Sequence, residues 1–158
     1  SSFELLIFRS QYDYKPPFDL VDYMVVVERH RRLPSIYEIG SQLLAEATIK
    51  VKVDNKIIHT ASEGNGPVNA LDHALRKALL EFYPGLTKVD LIDYKVRILE
   101  GNRGTGSLVR VFIESSNGKV QWRTVGSSTN IIEASWLALY DSMEYFLLKI
   151  DKKGCKKT

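Results

Sequence analysis

The chain has 158 residues, 44% hydrophobic and 26% charged, the proportions of an ordinary soluble protein with a sizeable core. A net charge of +3, much of it in the tail Lys152-Lys153-Gly154-Cys155-Lys156-Lys157, is too small to demand a nucleic-acid partner. Cys155 is the single cysteine, so no disulfide closes within the chain, and no apolar run approaches a signal segment or a membrane span. A reducing, cytoplasmic setting without a membrane partner is expected.

Phe3 to Ser10 has helical spacing, with Leu5, Leu6 and Phe8 apolar, and Lys15-Pro16-Pro17 stops it. Asp19 to Glu28 ends in Val25-Val26-Val27 and reads as a strand. His30 to Leu44 has little periodicity and reads as a loop. Ala47 to Val53 alternates, with Ile49, Val51 and Val53 on one side and Lys50 and Lys52 on the other. Asp54-Asn55 is a two-residue hairpin turn, since both residue types tolerate positive φ, and Lys56 to Ser62 returns as the partner strand. After Gly64-Asn65-Gly66, Pro67 suits the first turn of a helix, and Val68, Leu71, Leu75, Leu79 and Phe82 mark its apolar face before Tyr83-Pro84-Gly85 closes it.

The same order then returns. Val89 to Leu99 is a strand, Gly101 to Gly106 a glycine-rich loop, and Leu108 to Glu114 and Lys119 to Val125 form a hairpin turned at Asn117-Gly118. Gly126-Ser127-Ser128-Thr129-Asn130 leads into a helix from about Ile131 to Lys149. Asp19-Leu20-Val21-Asp22-Tyr23 is echoed by Asp90-Leu91-Ile92-Asp93-Tyr94, Ile49 to Val53 by Val109 to Ile113, and Asn69 to Leu75 by Glu133 to Leu139. Three echoes in one order indicate a duplicated unit. Each copy is β-β-β-α, which predicts an α+β fold of two repeats with antiparallel sheets and helices packed on one face. Residues 1–18 read as a helical lead-in, 19–85 and 88–150 as the two repeats, and 151–158 as a solvated tail. The second helix carries Ile132, Trp136, Leu139, Met143 and Phe146 on one face and Leu137, Tyr140 and Leu147 elsewhere. So much apolar surface predicts a second chain against it, in an intertwined or face-to-face homodimer.

No catalytic grouping stands out. His30, His59 and His73 are scattered without a second ligand at metal spacing, and His73, among Asp72, Arg76 and Lys77, reads as solvated. Gly101 to Gly106 lacks the Lys-Ser/Thr of a phosphate loop. Gly64-Asn65-Gly66-Pro67 is more informative. Glycines let a ligand approach the backbone, and the helix start offers free N–H groups and a positive dipole end suited to a carboxylate. A tight turn without ligand is the competing reading. In the second copy, Gly126 to Asn130 either caps its helix or holds a ligand. Tyr94 offers a polar tip on an apolar wall, as a small amphiphilic ligand needs. Tyr12, Tyr14 and Tyr23 beside Arg9 and Lys15 form a weaker candidate for nucleic-acid stacking.

Ala61-Ser62-Glu63-Gly64-Asn65-Gly66-Pro67-Val68-Asn69-Ala70-Leu71, Asp93-Tyr94-Lys95-Val96-Arg97-Ile98-Leu99 and Asn130-Ile131-Ile132-Glu133-Ala134-Ser135-Trp136 together resemble the C-terminal allosteric domain of the 2-isopropylmalate synthase family, most of all its citramalate synthases. The resemblance implies a non-catalytic regulatory and dimerisation domain that binds an end-product branched-chain amino acid, isoleucine or else leucine, and inhibits a separate catalytic domain. That domain, an acyl-transferring (β/α)₈ barrel, would hold the divalent metal; its paired His-x-His is absent here, so no cofactor is expected in this chain. Carried over by motif, the effector pocket would comprise Gly64, Gly66, Asn69, Tyr94, Ile98, Ser107 and Ser128. The alternative is an RNA-binding module, because Phe3 to Phe82 read alone as α-β-β-β-α, the order of a double-stranded-RNA-binding domain.

Overall fold

A computed structural model of the chain describes residues 1–28, 44–99 and 107–151. The expected loop His30–Leu44, except Leu44 itself, the glycine-rich loop and all but the first residue of the tail lie outside the described residues. The elements are α1 (Ser2–Arg9), β1 (Asp19–Glu28), β2 (Leu44–Val53), β3 (Lys56–Gly64), α2 (Pro67–Leu79), β4 (Asp90–Leu99), β5 (Leu108–Ser116), β6 (Gln121–Ser128) and α3 (Ile131–Tyr145). They form two antiparallel three-stranded sheets, β1-β2-β3 and β4-β5-β6, the expected α+β fold of two β-β-β-α repeats. The chain divides into two compact units, Phe18–Glu81 and Ser1–Pro17 with Phe82–Thr158.

In the first unit, β2 turns Ala45, Ala47, Ile49, Val51 and Val53 inward, all buried. Pairing leucines with alanines, α2 buries Ala70, Leu71, Ala74, Leu75, Ala78 and Leu79. The alanines let the helix lie close over β2 and β3, where its apolar stripe leaves water. Val68 is only half-buried, and α2 ends at Leu79, so Phe82 lies beyond the helix. Asp54 (φ 47°) and Asn55 (φ 65°) make the expected left-handed hairpin turn.

The second unit repeats this plan. Val111 and Ile113 of β5 and Trp122 and Thr124 of β6 face Ala134, Ala138, Leu139 and Met143 of α3. A Cβ on Gly126 would fall 1.9 Å from the Ala134 carbonyl oxygen, so only glycine lets β6 and α3 meet there. Residues 117–120 close the β5–β6 hairpin, with Asn117 Oδ1 accepting the Lys119 and Val120 N–H groups (3.0 and 2.8 Å) and Gly118 at φ 82°. The Trp122 indole N–H reaches the Ser142 carbonyl (3.1 Å), and its ring stacks on Phe146 at 5.6 Å. After α3 the chain makes a π-helical turn, Phe146–Ile150.

The remaining surface of α3 does not all await a second chain. α1 of the same unit packs against it. Arg9 bonds Asp141 (2.6 Å) and Glu144, and the Tyr14 hydroxyl donates to Glu144, whose side chain is fully buried. Burial raises the Asp141 carboxyl and, with the hydrogen bond to Glu144, the Tyr14 phenol. Because α1 belongs with α3 and not with the first sheet, Phe3 to Phe82 do not form one α-β-β-β-α module. Of the tyrosines considered for stacking, Tyr14 donates to Glu144, and Tyr23 belongs to the other unit.

The repeats correspond residue by residue. Tyr23 pairs with Ile49 and Tyr94 with Ile113, each after an irregularity, at Leu20/Asp22 and Leu91/Asp93. Asp22 and Asp93 each accept the following tyrosine N–H at 2.9 Å. Thr60 donates to the Ala74 carbonyl and Thr124 to the Ala138 carbonyl, both at 2.8 Å. The echo of Ile49 in Val109 is corrected: Ile113 is the counterpart of Ile49, and Val109 that of Ala45. The alternating apolar run hides the shift, because sliding by an even number of residues preserves the facing pattern.

Candidate functional site

The correspondence places Gly64 opposite Ser128, Gly66 opposite Asn130 and Asn69 opposite Glu133, where strand passes into helix. The two junctions are built differently.

In the first unit, Gly64 ends β3. A Cβ there would lie 2.4 Å from the Ala70 backbone nitrogen and 2.7 Å from Asn69 Oδ1, so the bare backbone admits the helix start. Gly66 is the N-cap of α2, with φ −177° and ψ 170°. This is extended backbone open to any residue. A Cβ on Gly66 would meet nothing within 4 Å, so the position faces open space. Pro67 follows at the start of the helix, and Ala70 N–H makes the first helical bond to the Gly66 carbonyl at 3.0 Å. Glycine supplies no side-chain cap, which leaves the Val68 and Asn69 N–H groups without one. Asn69 turns its Oδ1 back to accept the Asn65 N–H at 3.2 Å, and His73, one turn on, bonds Asn69 (3.4 Å) and the Glu63 carbonyl (3.1 Å).

In the second unit the junction is closed by its own side chains. Asn130 Oδ1 accepts the Ile132 and Glu133 N–H groups (2.8 and 3.3 Å). Ser128 accepts the Asn130 N–H at 3.1 Å and donates to Glu133. This is a cap with an acidic partner in the first turn, so the helix end is internally satisfied. The Tyr94 hydroxyl lies 3.3 Å from Ser135 Oγ, which itself donates to the Ile131 carbonyl at 2.7 Å; Tyr94 is therefore the donor. Tyr94, Val96 and Ile98 share the inner face of edge strand β4, which α3, lying over β5 and β6, leaves largely uncovered. Ile98 is 66% exposed.

The seven candidate residues thus fall into two groups. Gly64, Gly66 and Asn69 stand at the α2 junction of one unit. In the other, Ile98, Val109 and Ser128 form one cross-strand row with Ser107 just before β5, while Tyr94 lies further along β4. Sequence reasoning missed Asn65 and His73, whose roles depend on folding β3 back along α2. It also missed Ser135, whose signal was a hydroxyl on an otherwise apolar helix face. Among the described residues no group of three or more His, Cys, Asp or Glu side chains is placed to hold a metal, and no helix is long and apolar enough to cross a membrane.

Two matched sheet–helix repeats, one with an uncapped helix start and one with a capped start, make up a duplicated α+β module. The profile of the LeuA allosteric (dimerisation) domain matches residues 1–147, and the chain belongs to that family. It is 49% identical to an (R)-citramalate synthase of Geobacter sulfurreducens over 99% of this chain and 29% of the relative. Identity is also 49% to an (R)-citramalate synthase of Aquifex aeolicus, over 98% of this chain and 28% of the relative. A 2-isopropylmalate synthase of Shewanella woodyi is 30% identical over 68% of the chain and 19% of the relative. The chain therefore spans less than a third of the curated relatives it matches, in their C-terminal part.

Proposed function

We propose that this chain is the feedback sensor of a citramalate synthase-type condensing enzyme, binding isoleucine, or failing that leucine, and dimerising with a second copy. The observation that carries the reading is the α2 start. Its uncapped N–H groups, positive dipole end and open space at Gly66 suit an amino-acid carboxylate, while the matching α3 start is already satisfied by Asn130. Family membership and relatives named citramalate synthase support the same assignment. Catalysis and its divalent metal belong to a separate catalytic domain of the parent enzyme, and the chain by itself transfers no acyl group.

Dimerisation draws support from the outer sheet faces, which expose Met24, Val26 and Ile57 in one unit and Leu99 and Leu108 in the other. Each outer face also sets like charges opposite one another, Glu46 against Glu63 and Arg97 against Arg110. Such pairs are unfavourable alone and are relieved when one copy brings its basic pair to the acidic pair of another. The double-stranded-RNA-binding alternative loses its basis with α1 packed on α3.

Thermal unfolding tests the effector reading. A ligand that binds only the native state, present at about 100 times its dissociation constant, adds roughly 2.7 kcal/mol. The melting temperature rises with isoleucine and stays flat with lysine or glutamate; an equal response to all three contradicts specific sensing.

A further inference from the structure

His73 is tied to the α2 junction through both ring nitrogens. It lies exposed on α2, with Nδ1 3.1 Å from the Glu63 carbonyl oxygen and Nε2 3.4 Å from Asn69 Nδ2. Asn69 Oδ1 accepts the Asn65 N–H at 3.2 Å. These contacts admit one arrangement of protons. Oδ1 serves Asn65, so Asn69 presents its NH₂ to the imidazole. Nε2 must then accept, and Nδ1 carries the proton that goes to the Glu63 carbonyl.

We infer that His73, neutral and protonated at Nδ1, is a positioning residue for the Gly64–Gly66 loop and makes effector binding at the α2 start depend on pH; the binding half of this inference rests on the effector reading above. Protonation puts a second hydrogen on Nε2, where it meets the hydrogens of Asn69 Nδ2. Two donors face each other, and the amide must withdraw or turn. Turning gives Oδ1 to the imidazolium and takes it from the Asn65 N–H, so the loop before Pro67 loses its tie to the helix.

Among the described residues of α2, β2 and β3, the other charged side chains near the ring are engaged elsewhere or turned to the outer face. On α2, Lys77 donates to the Ala61 carbonyl (3.3 Å), and Asp72 is paired with Arg76 (2.8 Å). On β3, the Glu63 and His59 side chains belong to the outer face of the sheet, and β2 offers α2 only apolar residues, Ala45 to Val53 in alternation. The second repeat has no such device. Leu137 takes the place of His73, and Asn130 fixes that junction through its cap.

The test is ¹⁵N nuclear magnetic resonance of the whole chain from about pH 8 to about pH 5.5, the interval in which imidazoles titrate, with His73→Leu as control and calorimetry at both ends. At the upper pH the His73 ring shows the Nδ1–H form. The Asn65 amide resonance moves with the midpoint of the ring in the wild type and stays fixed in His73→Leu. Isoleucine binds about fivefold more weakly at the lower pH, the worth of one orienting hydrogen bond, and His73→Leu binds weakly at both. An Nε2–H ring at the upper pH, or an Asn65 amide indifferent to the ring, overturns the positioning role. Wild-type isoleucine affinity that is equal at both pH values overturns the link to binding. If the amide follows the ring but neither isoleucine nor leucine binds at either pH, the tie stands, the effector reading falls, and the binding half falls with it.

Discussion

Gly64 and Gly66 look alike in the sequence, yet their surroundings differ sharply. Gly64 is pressed against backbone: a methyl group there would sit 2.4 Å from the Ala70 nitrogen. Gly64→Ala must displace either the strand end or the helix start, and should lower stability by about 1–3 kcal/mol, read as a shifted urea midpoint at unchanged slope. Gly66 has open space and an ordinary extended backbone, so a side chain there should change stability by less than about 0.5 kcal/mol. The motif Gly64-Asn65-Gly66-Pro67 was legible as a junction from residue types alone, but which glycine is structural was not. That distinction depends on how near α2 lies to β3, which no local pattern encodes. His73 illustrates the same limit. Helical periodicity assigned it correctly to an exposed face, while its partner, the Glu63 carbonyl, is a backbone atom that becomes a neighbour only once β3 lies alongside α2.

Among the elements, the strands and helices were legible because their apolar periodicities are clean; β1 and the start of α2 fall where the residues indicate. The role of α1 was not legible. Its amphipathic spacing predicted a helix, but the residue that docks it is Arg9, whose partners Asp141 and Glu144 are distant in sequence. Glu144 reads as a surface acid and is in fact fully buried, so the inference of a second chain against α3 overlooked a covering supplied from within the same unit. Arg9 is one-third exposed, but its removal strands the fully buried Glu144 carboxylate, at about 3 kcal/mol, the lower end of the range for a buried pair. Arg9→Met should therefore destabilise the protein strongly in chemical denaturation. Arg9→Met combined with Glu144→Met should recover much of that loss, since apolar replacement of both partners removes the stranded charge. A double variant as unstable as the sum of the singles would show that the pair is not coupled.

For the whole molecule, the duplication was the most legible property, and the structure adds that the two copies have diverged at their helix starts, one capped and one open. The second copy of the chain proposed for the outer sheet faces makes a measurable claim. Sedimentation at micromolar concentration should give twice the monomer mass, and Arg97→Glu with Arg110→Glu, which sets acidic pairs against one another, should shift the protein toward monomer. A monomer in the wild type would contradict the dimer, and a charge-reversed protein that stays dimeric would move the interface away from these faces.

The effector site at the start of α2 is tested most directly by calorimetric titration of isoleucine into the wild type and Gly66→Val, after matching melting temperatures have established that both are folded. A Cβ at Gly66 meets nothing within 4 Å, so a valine side chain there enters the open space at the N-cap. The wild type should show saturable binding and Gly66→Val none, with stability unchanged. Wild-type affinity in folded Gly66→Val would mean that the amino acid does not bind at this helix start.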